Sequence, residues 1–340
     1  MTDRVAKTTS FLTRAGWDTA TRESLAGDAS NRRYERLRHA DGRQAVLMDA
    51  PSERGEDVRP FARISRYLRA LGLSAPDILA EDDENGLLLL EDLGDALFVR
   101  VVARNPALER PLYEAATDLL ADLHRADPPE NLEVYDPMLM SRMAALAWRW
   151  YRRAAGLVFE DQAQAFEAAF YPLLDQHAGQ ADVLIQRDYH AENLIWLPDR
   201  SGVARVGLLD FQDAMIGHRA YDLVSLLQDA RRDVPRETEA EMTDRYISRC
   251  GVDRDAFLAA YHVLGAQRNL RILGVFARLS LQSGKPHYVN LIPRVWNLLE
   301  RDLAHPALHP IAETVRRELP APTDSILTSL KNQCATIPTP

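Results

Sequence analysis

The sequence predicts an α+β protein of two lobes: a small mixed N-terminal lobe with an antiparallel sheet, and a larger, mostly helical C-terminal lobe. Three observations predict it. The chain has 340 residues, more than a single core usually organises. Strand-like runs broken by turn residues crowd into about the first ninety residues. Beyond them, apolar residues recur at helical spacing with one β interlude. The boundaries expected are 1–93 for the first lobe, 94–325 for the second and 326–340 for a loose tail. Between two such lobes a cleft is the default ligand site.

Each element has its own signal. A first helix stops near Gly16, and Ser24 to Asn31 is a small, polar turn. Tyr34–Leu37 and Ala45–Met48 read as strands about the turn signal Asp41-Gly42. Val58, Phe61, Ile64, Leu68 and Leu71 line one face of a helix ending at Gly72. Strands Ile78–Ala80 and Leu87–Leu90 flank Asn85-Gly86, a hairpin signal. After Glu91-Asp92-Leu93-Gly94, Leu112 to Leu123 forms a helical stripe, followed by helices over Met143–Tyr151 and Phe166–Leu174. The β interlude comprises Val183–Gln186, Leu194–Trp196 and Val206–Leu209; from Ala220 to about Leu319 the pattern is helical.

Composition narrows the function. With 46% hydrophobic and 27% charged residues the chain is ordinary globular protein. A formal net charge of -9 argues against nucleic acid as the main partner. No segment is apolar enough for a signal peptide or a membrane span. Two distant cysteines, Cys250 and Cys334, make neither a disulfide framework nor a zinc site. A soluble, cytoplasmic protein acting on a small molecule is the expectation.

The chemistry concentrates in Ile185 to Leu194. Asp188 leaves one strand, and Asn193 enters the next five positions later. Alone, such a pair occurs on many surface loops. Followed by a hairpin, a strand and Asp210-Phe211, it matches what phosphoryl transfer requires. Asp188 would accept or orient the proton of the attacking hydroxyl, and Asn193 and Asp210 would hold Mg²⁺.

These motifs resemble the aminoglycoside phosphotransferase family, small-molecule kinases of protein-kinase-like fold. Arg187-Asp188-Tyr189-His190-Ala191-Glu192-Asn193 and Leu209-Asp210-Phe211-Gln212-Asp213-Ala214 match its signatures, supported by Tyr221–Leu226 and Leu120–His124. The likeness runs from about Gly27 to Arg231. Gly27-Asp28-Ala29-Ser30, Arg32-Arg33-Tyr34, Val46–Pro51, Arg59-Pro60-Phe61 and Leu93-Gly94-Asp95 are similar to a subgroup of cell-wall amino-sugar kinases. The resemblance implies ATP as donor and the anomeric hydroxyl of N-acetylmuramate or N-acetylglucosamine as acceptor, in peptidoglycan recycling. Other acceptors, an aminoglycoside or a small alcohol, and a nucleotide-binding pseudokinase are the competing readings.

The chain departs from the family pattern at three positions. Gln186 replaces a loop-bracing His, Gln212 replaces the glycine after Asp-Phe, and Met48 stands where a strand Lys pairs with phosphate. Arg32 and Arg33 are the candidates to replace that Lys, since no Lys lies between Lys7 and Lys285; as strand-edge residues they would otherwise be merely solvated. Gly27, Ser30 and Glu91 complete the nucleotide-binding candidates, although one glycine makes a weak phosphate loop and an ordinary turn explains it as well. His190, Asp213 and Asp222 are substrate or supporting candidates, with scaffold, cap and loop-anchor roles as the alternatives. Trp148 to Arg153 reads as a sugar-binding surface or a buried tryptophan stripe.

Overall fold

A computed structural model describes residues 2–25, 31–157 and 160–338. The chain begins α1 (Thr2–Arg14), β1 (Thr21–Leu25), β2 (Arg33–Arg38), β3 (Gln44–Asp49), α2 (Arg59–Ala70), β4 (Ile78–Asp82), β5 (Leu87–Glu91), α3 (Phe98–Arg104), α4 (Glu109–Leu123), α5 (Pro137–Ala144) and α6 (Glu160–Ala178). Four short strands follow: β6 (Val183–Ile185), β7 (Leu194–Trp196), β8 (Val206–Leu208) and β9 (Met215–Gly217). The rest is helical: α7 (Tyr221–Leu227), α8 (Arg236–Cys250), α9 (Arg254–Leu281), α10 (Ile292–Leu303), α11 (His309–Glu318) and α12 (Asp324–Asn332). The residues gather into two compact units, 1–123 with 191–214, and 124–190 with 215–340. An antiparallel N-terminal sheet followed by a helical remainder is the α+β class predicted.

In the first unit the strands lie in the order β1-β2-β3-β5-β4, all neighbours antiparallel. Side chains alternate between the faces of a sheet. Leu37, Ala45, Leu47, Leu87 and Leu89 therefore share one face, and Phe11 and Leu12 of α1 with Trp17 bury it. Arg4 fastens α1 to β3 through Asp49, Nε to Oδ1 at 2.9 Å. The opposite face carries Tyr34, Arg36, Val46, Met48, Leu88 and Leu90. The β7–β8 hairpin belongs to the same unit. It is held by backbone bonds from Leu208 N to Ser74 O (2.9 Å) and Trp196 N to Ala96 O (2.8 Å).

In the second unit α9 is the axis. Of its residues, Phe257, Leu264, Leu270, Leu273, Phe276 and Leu281 are buried. β6 pairs antiparallel with β9, whose Gly217 packs against Ile185. No helix among the described residues is long and apolar enough to cross a membrane.

Three local readings differ from expectation. Ser24 sits not in a turn but in β1, an edge strand with four of five residues exposed, so no alternation marked it. The helix expected through Tyr151 ends at Ala144, and Ala147–Tyr151 widens into a π-helical turn. The segment expected as a loose tail carries α12, with Leu330 fully buried. Ser280 Oγ donates to Leu330 O at 2.9 Å, and Ala335 N to Ser280 O at 3.0 Å. A single apolar anchor with two long-range bonds leaves no periodic trace in a proline-bearing stretch.

Helix α9 makes one approach that permits no side chain. A Cβ on Gly274 would lie 2.3 Å from the carbonyl carbon of Leu146. Gly274→Ala is expected to destabilise the protein by about 3 kcal/mol, read as a lowered urea midpoint. Gly72→Ala meets nothing within 4 Å and only a φ of +78°, so its cost is expected near about 1 kcal/mol.

Candidate active site

Asn193 opens β7 and Asp210 follows β8, so pairing of the two strands brings them together. Leu209 N donates to Asn193 O at 3.0 Å, and the Asn193 amide donates to Asp210 Oδ2 at 3.4 Å. The Gln212 amide donates to the other oxygen, Oδ1, at 2.8 Å. Asp210 adopts φ +57°, a left-handed conformation that costs a non-glycine residue about 1 kcal/mol or more. Its neighbour Phe211 is fully buried and stacks on Phe61 of α2 at 4.8 Å. That packing holds the Asp210 backbone in place.

Tyr34 and Arg32 belong to this group. Tyr34 stands opposite Met48 in the β2–β3 register, so the phenol occupies the sheet face where a strand lysine would project. Burial, with Arg32 pulling the other way and Asp210 and Glu56 pushing up, raises the Tyr34 hydroxyl to about 12. Arg32 bonds to that hydroxyl, and its Nε donates to Glu56 Oε2 at 2.8 Å. Nearby in sequence, Arg36 is 7% exposed and reaches Asp92 (2.6 and 3.0 Å) and Asp95 (2.6 Å). It holds the segment that leaves β5.

In the second unit the loop after β6 is anchored by Asp222 at the start of α7. This carboxylate is fully buried and accepts the backbone N–H of Gln186 (2.6 Å) and of Arg187 (2.9 Å). Burial pushes it up to about 7 against the pull of those two donors. Arg187 takes φ +71°, its carbonyl accepts from Ser225 Oγ at 3.3 Å, and its guanidinium lies 5.7 Å over the Tyr135 ring.

Asp188 therefore leaves a rigid turn among cations. Burial raises its pKa, but Arg271, His190, Arg268 and Arg187 outweigh burial and hold it below the usual carboxylate range. It is ionised at neutral pH and able to take a proton only as one is released to it. His190 is 3% exposed and pushed down to about 4, chiefly by burial. Arg231 Nη1 donates to its Nε2 at 3.2 Å, so the imidazole is neutral with the proton on Nδ1.

The remaining candidates fall elsewhere. Gly27 and Ser30 lie outside the described residues. Arg33 begins β2 with an exposed side chain, and Asp213 is exposed. The Glu91 carboxylate is engaged by Arg200 (2.6 Å), Arg69 (3.3 Å) and the Asp77 N–H (3.2 Å). Those contacts tie β5 to the hairpin loop. Trp148 is 2% exposed, stacks on Phe166 at 3.9 Å and donates to Glu318 at 2.9 Å, which is the buried-stripe reading. Sequence reasoning missed Tyr34 as a site residue and missed Arg268 and Arg271. The available signal was two arginines three apart in the middle of a long, mostly apolar helix.

A family model described as phosphotransferase enzyme family matches residues 21–263. The chain is 41% identical to the N-acetylmuramate/N-acetylglucosamine kinase of Caulobacter vibrioides, over 94% of this chain and 98% of that one. It is 35% identical to the kinase of the same description from Pseudomonas aeruginosa, over 82% of each. Among solved structures, a choline kinase of Streptococcus pneumoniae superposes with a TM-score of 0.58 at 14% identity, covering 87% of this chain and 99% of that one. An aminoglycoside phosphotransferase of Streptomyces rimosus, in complex with ADP and streptomycin, gives 0.50 at 20% identity, with 77% and 98% covered. These likenesses are ones of fold.

A neutral buried imidazole makes stability depend on pH. His190 stays unprotonated down to about 4 when folded, but in the unfolded chain it binds a proton below about 6.5. Its contribution is fully present above about pH 6.5 and is lost as pH falls toward 4, at up to about 1.4 kcal/mol per pH unit. Asp222, protonated up to about 7 when folded, has the opposite sign over the same window. The urea midpoint of His190→Gln is expected to fall less steeply than wild type between about pH 6.5 and pH 4.5. Parallel slopes would show that His190 titrates normally.

Proposed function

The chain belongs to the phosphotransferase enzyme family, and we propose that this ATP-dependent small-molecule kinase phosphorylates the anomeric hydroxyl of an N-acetylated amino sugar. The observation that carries the reading is the Asn193–Asp210 contact at 3.4 Å, made by two side chains that strand pairing alone brings together. The curated relatives, named for N-acetylmuramate and N-acetylglucosamine, support the acceptor class.

One carboxylate and one amide are hard oxygen donors, the set that suits Mg²⁺ when phosphate oxygens complete its shell. In this reading Asp210 and the Asn193 amide oxygen hold the ion. When bound, Mg²⁺ neutralises charge on the β- and γ-phosphate oxygens. Asp188 takes the proton of the sugar hydroxyl while its oxygen bonds to the γ-phosphorus, the bond to the β-phosphate oxygen breaks, and ADP leaves. The loop from Gln186 to Asn193 carries both roles, so its anchoring at Asp222 fixes where the base begins. Arg32 supplies the cation that Met48 cannot, reaching the phosphate side of the sheet beside Tyr34. Such a kinase works where ATP is, in the cytoplasm.

Local charge separates this reading from its rivals. Arg187, Arg268 and Arg271 all act on Asp188. An aminoglycoside or choline would bring positive charge against them, whereas a neutral or acidic sugar would not. The same cations favour an ionised, working base over a pseudokinase.

Two measurements test the assignment. Asp188→Asn is expected to lower kcat for sugar phosphorylation by about 10²–10⁴, with ATP affinity by calorimetry kept. Wild-type turnover in a folded Asp188→Asn protein would remove the mechanism. Arg32→Ala is expected to raise KM for ATP and lower kcat by about tenfold or more, whereas Arg33→Ala stays within about twofold, as for an exposed strand residue. Equal effects of the two would assign the cation elsewhere.

A further inference from the structure

Two arginines of α9 form no ion pair among the described residues. Arg268 is 3% exposed. Its Nη2 donates to Ser225 Oγ at 2.8 Å and its Nη1 to the Gln228 carbonyl at 3.4 Å, while Nε has no partner among the described residues. Arg271, one helical turn on, offers Nη1 to the Tyr221 hydroxyl at 3.4 Å. All these acceptors are uncharged. Charged side chains below the surface are normally paired, because an isolated buried charge is costly. Here the carboxylates whose field reaches Arg268 are Asp188 and Asp229, and for Arg271 it is Asp188. Neither arginine forms an ion pair with them.

The surroundings orient the Arg271 fork. Tyr221 and Tyr135 pack edge to face at 5.2 Å, and Gln267 donates to the Tyr135 hydroxyl at 2.9 Å. Both rings are buried. Arg271 itself is only half-buried, unlike Arg268. A planar guanidinium fork bonded to the Tyr221 hydroxyl matches the geometry of a carboxylate.

We propose that Arg271, backed by Arg268, receives a carboxylate of the acceptor sugar and makes the enzyme prefer an acidic N-acetylated sugar to a neutral one. The inference rests on the functional reading above, in which Asp188 takes the acceptor's proton. Of the two α9 arginines acting on Asp188, Arg271 is the less deeply buried and so the one an acceptor at Asp188 could meet. N-acetylmuramate and N-acetylglucosamine differ by the lactyl ether, whose carboxylate is the only full charge on either sugar. A bidentate guanidinium contact made by one sugar and not by the other separates them at the level of binding.

The test compares kcat/KM for the two sugars at saturating ATP in wild type, Arg271→Gln and Arg271→Lys. Arg271→Gln is expected to lower the N-acetylmuramate value at least about tenfold more than the N-acetylglucosamine value, mainly through KM, with KM for ATP unmoved. Arg271→Lys, keeping the charge without the fork, falls between. The methyl ester of N-acetylmuramate, given to wild type, is expected to lose the same preference and needs no folded variant. An unaltered ratio between the sugars, an ester as good as the acid, or a raised KM for ATP overturns the carboxylate site and leaves the kinase standing. Wild-type protein that phosphorylates neither sugar overturns the functional reading and this inference with it.

Discussion

One buried carboxylate organises the reactive loop. Asp222 accepts two backbone N–H groups, those of Gln186 and Arg187, and Arg187 is held in a left-handed conformation. That conformation costs about 1–2 kcal/mol, whereas the two hydrogen bonds contribute about 0.5–1.5 kcal/mol each. The bonds offset the strain only because the rest of the protein keeps Asp222 in position at the start of α7. The turn aims Asp188 in a fixed direction, and in the proposed reaction a base gains more from fixed aim than from basicity.

Electrostatics near Asp188 runs against the character of the whole chain. The protein carries a formal net charge of -9, yet the arginines Arg271, Arg268 and Arg187 act on this one carboxylate. Overall charge says little about a site enclosed by its own side chains, since distant surface charges are screened within about 10 Å. The local excess of guanidinium keeps Asp188 ionised.

On the sheet face that bears Tyr34, the position of the signature lysine is taken by Met48, which is 1% exposed. A buried thioether cannot pair with phosphate. The neighbouring strand contributes Tyr34, and Arg32 joins that phenol and Glu56. On the proposed reading the positive charge comes from Arg32, just ahead of β2, rather than from β3.

Much of this was legible in the residues alone. The apolar alternation of β3 and β5, the helical stripes and the spacing of Asp188, Asn193 and Asp210 determined the α+β class and the phosphotransfer signature, because those features are local and periodic. Tertiary structure decided the rest. Edge strand β1 and helix α12 depend on distant partners, Glu91 was spent on Arg69 and Arg200, and Trp148 went into the core. Arg268 and Arg271 came to flank Asp188 only through the packing of α9, eighty or so positions further along the chain. Periodicity reports which face of a helix is buried, and only the folded chain decides what that face is buried against.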